Sequence, residues 1–316
     1  MPALPLQSIL VATDLTEASD PVVAAAAALA RWTGAALHVV HAIEFGAAPY
    51  TPDPSEARTF FGPIHAAQRA LDEQLERVLP PGQPVASRHT EISSAHRAIL
   101  GWAEVVSADV IVLGPHRRRG ALDQFLGTTA DRVVRRARVP CLLVRGTLSL
   151  PLERVVAPVD FSEESRGSLR LAAAWAIGLA PDGRPALVEA VHVVSSVLDG
   201  PAFDLSIVSD ELHREVLRAL RRTGLSDVPI EESVVRGTPA TEIVERAGSE
   251  PGALVVLATR GYGAIERVLL GSVASAVARA ATCPVLLVPA AAARGRTRVR
   301  RPPQLVAEPI VEGTTG

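Results

Sequence analysis

Gly261, Gly263 and Gly271-Ser272 have the residue types and spacing to hold an anion. They follow an apolar run, Leu254–Leu257, that ends at Ala258 and leads through Arg260 into the first glycine. Glycine lets backbone N–H groups approach a ligand that a Cβ would keep away. Gly271-Ser272 opens a stretch in which Val273, Ala274 and Val277 repeat at helical spacing, and free amides at a helix start favour negative charge. A phosphate is the anion such a loop suits; an ordinary strand-to-helix connection is the alternative. Asp160 closes an earlier apolar run after Pro158 and Val159. Its carboxylate either meets a ligand or simply suits the helix that begins there.

These residues need strands and helices to place them. In the second half the pattern predicts strands over Arg154–Val159, Ala186–Val193, Pro229–Val235, Leu254–Ala258 and Val285–Val288. Helices are predicted from the N-cap Ser162 to about Ala180, over Asp210–Arg222, after Gly237-Thr-Pro-Ala to Ala247, and from Gly271-Ser272. The first half runs through the same order. Its strands are Ser8–Thr13, Ala36–Ala42, Val85–Ile92, Ala108–Leu113 and Pro140–Val144. Its helices run from Thr16, read as an N-cap, to Trp32, then over His65–Leu79 and Ala95–Val106, with a last one from Gly127-Thr128. The prolines between Ile43 and Pro63 read as a loop. Asp14 corresponds to Asp160, Gly127-Thr128 to Gly271-Ser272, and Pro140 to Pro284.

The repeat is one domain long, which excludes a solenoid. It predicts domains at 1–146 and 152–290, a linker at 147–151 and a tail at 291–316. Alternating strands and helices give the fold class: α/β, two homologous doubly wound domains with parallel sheets. In such sheets ligands bind beyond the carboxyl ends of strands, where strand order reverses. If strands one and four are neighbours, Asp160 and the glycine loop share one crevice, as do Thr13, Asp14 and Gly114.

Composition narrows the chemistry. All 32 basic residues are arginine, so no P-loop lysine and no Schiff-base lysine exists in this chain. Cys141 and Cys283, the only cysteines, have no metal-ligand spacing and read as small buried side chains in a reducing, cytoplasmic protein. A formal charge of -2 and 3% aromatics disfavour nucleic acid as a partner, and no apolar run approaches a membrane span. The tail carries five arginines over Arg294–Arg301 and reads as a disordered extension. Arg117-Arg118-Arg119, with Arg132, Arg135, Arg136 and Arg138, makes a basic surface suited to an acidic partner or simply to solvent. His41 and His192, at the ends of second strands, read as hydrogen-bonded structural histidines. Trp32, Trp102 and Trp175 read as packing residues.

At this point the chain resembles a tandem universal stress protein. ATP-binding members carry Gly-x-x-Gly, nine residues, then Gly-Ser/Thr. Here the second half reads Ala258-Thr-Arg-Gly261, nine residues, Gly271-Ser272, departing at Ala258. The first half reads Gly114-Pro-His-Arg117, nine residues, Gly127-Thr128, with Arg117 in place of a glycine. Pro158, Val159-Asp160, Gly237-x-Pro239 and Cys283-Pro284 also resemble the family. The resemblance implies a five-stranded, adenine nucleotide alpha-hydrolase-like sheet in each half. It further implies pairing of Pro140–Val144 with Pro284–Val288 in an intramolecular pseudo-dimer, with a further homodimer as an option. Its implied cofactor is ATP, with or without Mg2+. Pro158, Val159, Asp160 and Val193 would meet adenine and ribose, and Gly261, Gly271, Ser272 and Val273 the phosphates.

The function so expected is an adenine-nucleotide-binding regulator of stress response, with nucleotide mainly in the second half and a protein partner. No residue reads as catalytic or as a metal ligand. A nucleotide-independent interaction module and a slow ATPase are the alternatives.

Overall fold

The structure is a computed structural model; it describes residues 6–44, 57–114, 127–180, 184–195, 204–221, 223, 225, 228–261 and 270–294. The first half contains β1 (Ser8–Thr13), α1 (Asp20–Thr33), β2 (Ala36–Ile43), α2 (Ala57–Val78), β3 (Ser87–Ile92), α3 (Ala95–Val105), β4 (Val110–Leu113), α4 (Thr128–Arg136) and β5 (Cys141–Leu143). The second contains β6 (Arg154–Pro158), α5 (Glu163–Gly178), β7 (Leu187–Ser195), α6 (Leu205–Leu220), β8 (Ile230–Gly237), α7 (Pro239–Ala247), β9 (Ala253–Ala258), α8 (Ser272–Ala280), β10 (Val285–Val288) and α9 (Ala290–Ala293).

The strands form one sheet in the order β3-β2-β1-β4-β5-β10-β9-β6-β7-β8. Within each half neighbours are parallel. The halves meet where β5 and β10 pair antiparallel, Cys141 opposite Leu287 and Leu143 opposite Val285. The expected pseudo-dimer is therefore present as one continuous sheet. The central strands are buried on both faces, which is why they read as unbroken apolar runs. One core lies under α1, α2, α5 and α6, and a second under α3, α4, α7 and α8; both run across the junction. The Trp32 indole of α1 crosses it too, donating to the Gly178 carbonyl of α5 at 2.9 Å.

Several element boundaries differ from the sequence reading, each for a local reason. Helix α2 starts at Ala57 and passes through Pro63, which lacks one N–H without ending the helix. Helix α6 starts at Leu205 because Asp204 accepts the Ser206 N–H and caps it. Thr16 precedes a 3-10 turn, Glu17–Ser19, and makes no side-chain cap; its hydroxyl donates to Asp14 instead. Ser162 caps α5 as read, accepting the Ser165 N–H at 3.1 Å.

Beyond β10 the chain turns into α9, which lies on α5. Gly167 provides the space: a Cβ there would stand 2.2 Å from the Ala293 carbonyl oxygen. Arg170 donates to that oxygen at 2.8 Å, and Arg294 pairs with Glu164 at 2.5 Å. The remainder of the arginine-rich tail lies outside the described residues.

Candidate functional site

In each half strand one lies between strands two and four, β1 between β2 and β4, β6 between β7 and β9. Strand order therefore reverses beside β1 and β6, and in open α/β sheets the ligand crevice lies at that point, beyond the carboxyl ends of the strands. Asp160 stands at the end of β6 and Gly261 shortly after β9. These residues meet: a Cβ on Gly261 would come within 2.0 Å of Asp160 Oδ2. The other carboxylate oxygen, Oδ1, accepts the Ser162 N–H at 3.1 Å and the Ser162 hydroxyl at 2.5 Å. This turn fixes the carboxylate and starts α5 in one step.

The residue after the aspartate is held in an unusual backbone. Phe161 has φ 65°, and its counterpart Leu15 has φ 64°. For bulky side chains this left-handed conformation is strained, and such strain gathers at functional sites. The same device holds it in both halves. His192 Nδ1 bonds the Val159 carbonyl at 2.7 Å, and His41 Nδ1 bonds the Thr13 carbonyl at 2.9 Å. The two histidines thus brace the strand ends, as the sequence reading held.

The neck of the glycine loop is closed by backbone. The Thr259 N–H donates to Val288 at 2.9 Å, and the Gly271 N–H donates to the Thr259 carbonyl at 2.8 Å. The Gly271 amide is thus engaged inside the protein, which corrects its expected use as a phosphate donor; its contribution is space. A Cβ there would lie 3.3 Å from the Thr259 oxygen. The first intrahelical bond of α8 runs from Ser275 to Gly271, which leaves the amides of Ser272, Val273 and Ala274 at the helix start. Ser272 is exposed there, while the Ala274 side chain is buried in the core.

The other sequence-derived positions sort by exposure. Pro158 and Val193 are half-buried at the crevice, as are Ala258 and Arg260. Val159 is buried, so it offers backbone only. In the first half Asp14 is exposed and makes the same turn, its Oδ1 accepting the Thr16 N–H at 3.0 Å. Thr13 is buried and turned inward: its hydroxyl donates to Gln74 at 2.7 Å and accepts the Leu15 N–H at 3.0 Å. Gly127 is buried and Thr128 exposed at the start of α4. Gly114 abuts α1, where an added Cβ would stand 2.9 Å from Val22. Arg117 lies outside the described residues.

Behind the crevices, α1 is tied to α2 and α5 to α6 through polar pairs of opposite sense. In the first half Arg77 donates to Asp20 at 2.9 Å, and the fully buried Gln74 also donates to Asp20. In the second half the cation is on the first helix, Arg166 donating to Glu215 at 2.7 Å with Arg218 beside it. Burial pushes the Glu215 carboxyl up, and the two guanidinium groups outweigh it and hold it below its ordinary value. Sequence reading missed these ties, because the partners lie about fifty residues apart.

Fold and site together define a fused pair of doubly wound α/β domains, each with a switch point beyond its first strand; in the second half Asp160 meets Gly261 there. A family model described as the universal stress protein family matches residues 5–145 and again 151–289. The chain belongs to that family. It is 31% identical over 184 residues to a universal stress protein of Mycobacterium tuberculosis, an alignment covering 57% of this chain and 61% of that one. It is 36% identical over 143 residues to one from Methanocaldococcus jannaschii, covering 43% of this chain and 81% of the relative. A crystal structure of a universal stress protein from Archaeoglobus fulgidus shares the fold at a TM-score of 0.61 and 19% identity, covering 91% of this chain and 97% of its own.

Proposed function

We propose that this protein is an adenine-nucleotide-binding regulator of stress physiology that holds ATP mainly in its second half. The contact of Asp160 with Gly261 carries the reading. Residues about a hundred positions apart meet at the switch point, and Gly261, having no Cβ, lets the Asp160 carboxylate come up against the loop backbone. The carboxylate suits ribose hydroxyls. The amides of Ser272, Val273 and Ala274, with the Ser272 hydroxyl, suit phosphate oxygens. Bound ATP, with or without Mg2+, supplies charge and shape at this crevice. The chain's part is to orient it, with Pro158 and Val193 against the base. The second half is preferred because Asp160 is half-buried while Asp14 is exposed, and because Arg117 stands at the first half's glycine position.

Regulation follows if nucleotide distinguishes two conformations, since a ligand shifts only equilibria whose states it binds unequally. The strained turn at Phe161, between Asp160 and α5, is the element such a ligand would act on. The cytoplasm suits the two free cysteines. Burial raises the Cys141 thiol to about 12 and the Cys283 thiol to about 11, so neither is poised to oxidise.

The test is the nucleotide content of the purified protein together with calorimetric titration of wild type and Gly271→Val. Binding by wild type and loss in the variant, with both folded by circular dichroism, is the outcome expected. Undetectable binding by wild type at millimolar ATP with magnesium would end the reading.

A further inference from the structure

We infer that the outer face of α3 and α4 is a docking surface for an acidic segment of a protein partner. Arg97 on α3 and Arg132 and Arg136 on α4 are exposed, with Arg138 just beyond. Arg132 and Arg136 are one turn apart and share a face of α4. The two helices pack on the same core through Ala98, Ile99, Val133 and Val134, so their outer faces adjoin. His96 lies among these arginines. Burial lowers its pKa, Arg132, Arg136 and Arg97 lower it further, and Glu44 pulls the other way. Among the described residues no ion pair involves Arg97, Arg132, Arg136 or Arg138, whereas Arg135 is paired with Asp131 on the flank of α4.

The second half is an internal control. Register with α7 and α8 puts Ala240, Thr241, Ala276, Ala280 and Thr282 where the first half has His96, Arg97, Arg132, Arg136 and Arg138. The same helices pack on the same sheet there without these cations. The fold does not require them.

Arginine that makes no ion pair presents a fork of donors matched to carboxylates, and here Glu44 and the exposed Glu104 are the acids nearest the patch on its own side. The chain's formal charge is -2, so the patch is local and no long-range field draws a polyanion to the molecule. Aromatic platforms for bases are missing from this face among the described residues. The Trp102 indole is covered by the His89 ring at 3.4 Å and its N–H bonds Glu91. Val105, 57% exposed, ends the α3 face with an apolar contact. Carboxylates on a peptide with one apolar side chain fit this set better than nucleic acid does.

The test is fluorescence anisotropy with a labelled Asp/Glu-rich peptide carrying one leucine. Controls are its Asn/Gln counterpart and a short single-stranded DNA, at about 50 and 300 mM salt. The full chain should bind the acidic peptide at low salt and weaken at high salt. Arg132→Ala with Arg136→Ala, which copies the second half, should weaken binding about tenfold with an unchanged melting temperature. Adding Arg97→Glu should abolish it. Equal binding of acidic and neutral peptides, or an unaffected double variant, overturns the proposal. So does tighter binding of the DNA lost in the same variants.

Discussion

The ring of Phe161 stacks on that of His192, with centroids 4.3 Å apart and planes inclined at 27°. The contact folds a residue of left-handed backbone back onto the strand that braces it. Asp160 is thereby held between an Asx turn on one side and a packed ring on the other. Comparing alanine with glycine at position 161 separates the two contributions. Both remove the stack, but alanine keeps the strained backbone and glycine does not. Phe161→Gly should exceed Phe161→Ala in stability by about 1–2 kcal/mol in urea denaturation. An alanine variant equal to or better than glycine would show that the backbone at 161 is not strained.

Gly261→Ala puts a methyl group where Asp160 Oδ2 now lies. The carboxylate must shift, so ATP affinity should fall about tenfold or more in calorimetry while the melting temperature moves by only a few degrees. Asp160→Asn should lose affinity without the steric change.

Glu189 is 1% exposed on β7 and is gripped by Arg154 from β6 and Arg246 from α7. Burial raises its pKa, but the two guanidinium groups outweigh it and hold the carboxyl below its ordinary value. A depressed carboxylate contributes stability above its unfolded pKa of about 4.3, lost as pH falls through the folded value. Chemical denaturation from pH 6 down toward about 3 should show that loss, and Glu189→Gln should flatten it. The substitution itself should cost about 2–3 kcal/mol, less than a fully buried pair because both arginines are partly exposed.

The first half has histidines here instead. His38 Nδ1 and His89 Nε2 both bond Ser87 Oγ, at 2.6 and 2.7 Å. Burial lowers the pKa of both, and His38 lowers that of His89 further. A lowered histidine makes the unfolded chain the better proton acceptor, so stability should fall as pH drops below about 6.5. NMR titration of the two imidazoles should place both below that value; an unshifted pair contradicts the packing.

Gly167→Val should detach α9 from α5. A side chain at 167 collides with the Ala293 carbonyl, and overpacking of this kind costs about 1–3 kcal/mol. Hydrogen exchange at Ala292–Arg294 should accelerate while the sheet amides stay protected.

Much of this was legible beforehand because it rests on periodicity. Buried parallel strands announce themselves as apolar runs, the domain-long repeat located both switch points, and Pro140 and Pro284 marked the starts of two strands whose pairing only the family resemblance implied. Ser162 and the two bracing histidines were readable from their positions beside strand ends. What escaped was set by tertiary geometry. Nothing in the letters of Phe161 or Leu15 signals a positive φ, which Asp-to-Ser and Asp-to-Thr turns impose from outside. Gly167 looks like a weak spot in a helix until α9 lies across it. Glu189 reads as one polar residue in an apolar strand, and its two arginines come from 35 and 57 positions away. The Gly271 amide was misread because its acceptor, Thr259, lies across the loop it closes.

The β5–β10 seam has a consequence for inheritance. Were the same sheet assembled from two identical chains, every substitution would be written into both sides at once. Each change would have to suit both places. Here each residue is encoded once and lies on one side only, and neither side can leave to find another partner at low concentration. A single codon can thus alter position 117 without touching Gly261, or give α4 arginines that α8 never receives.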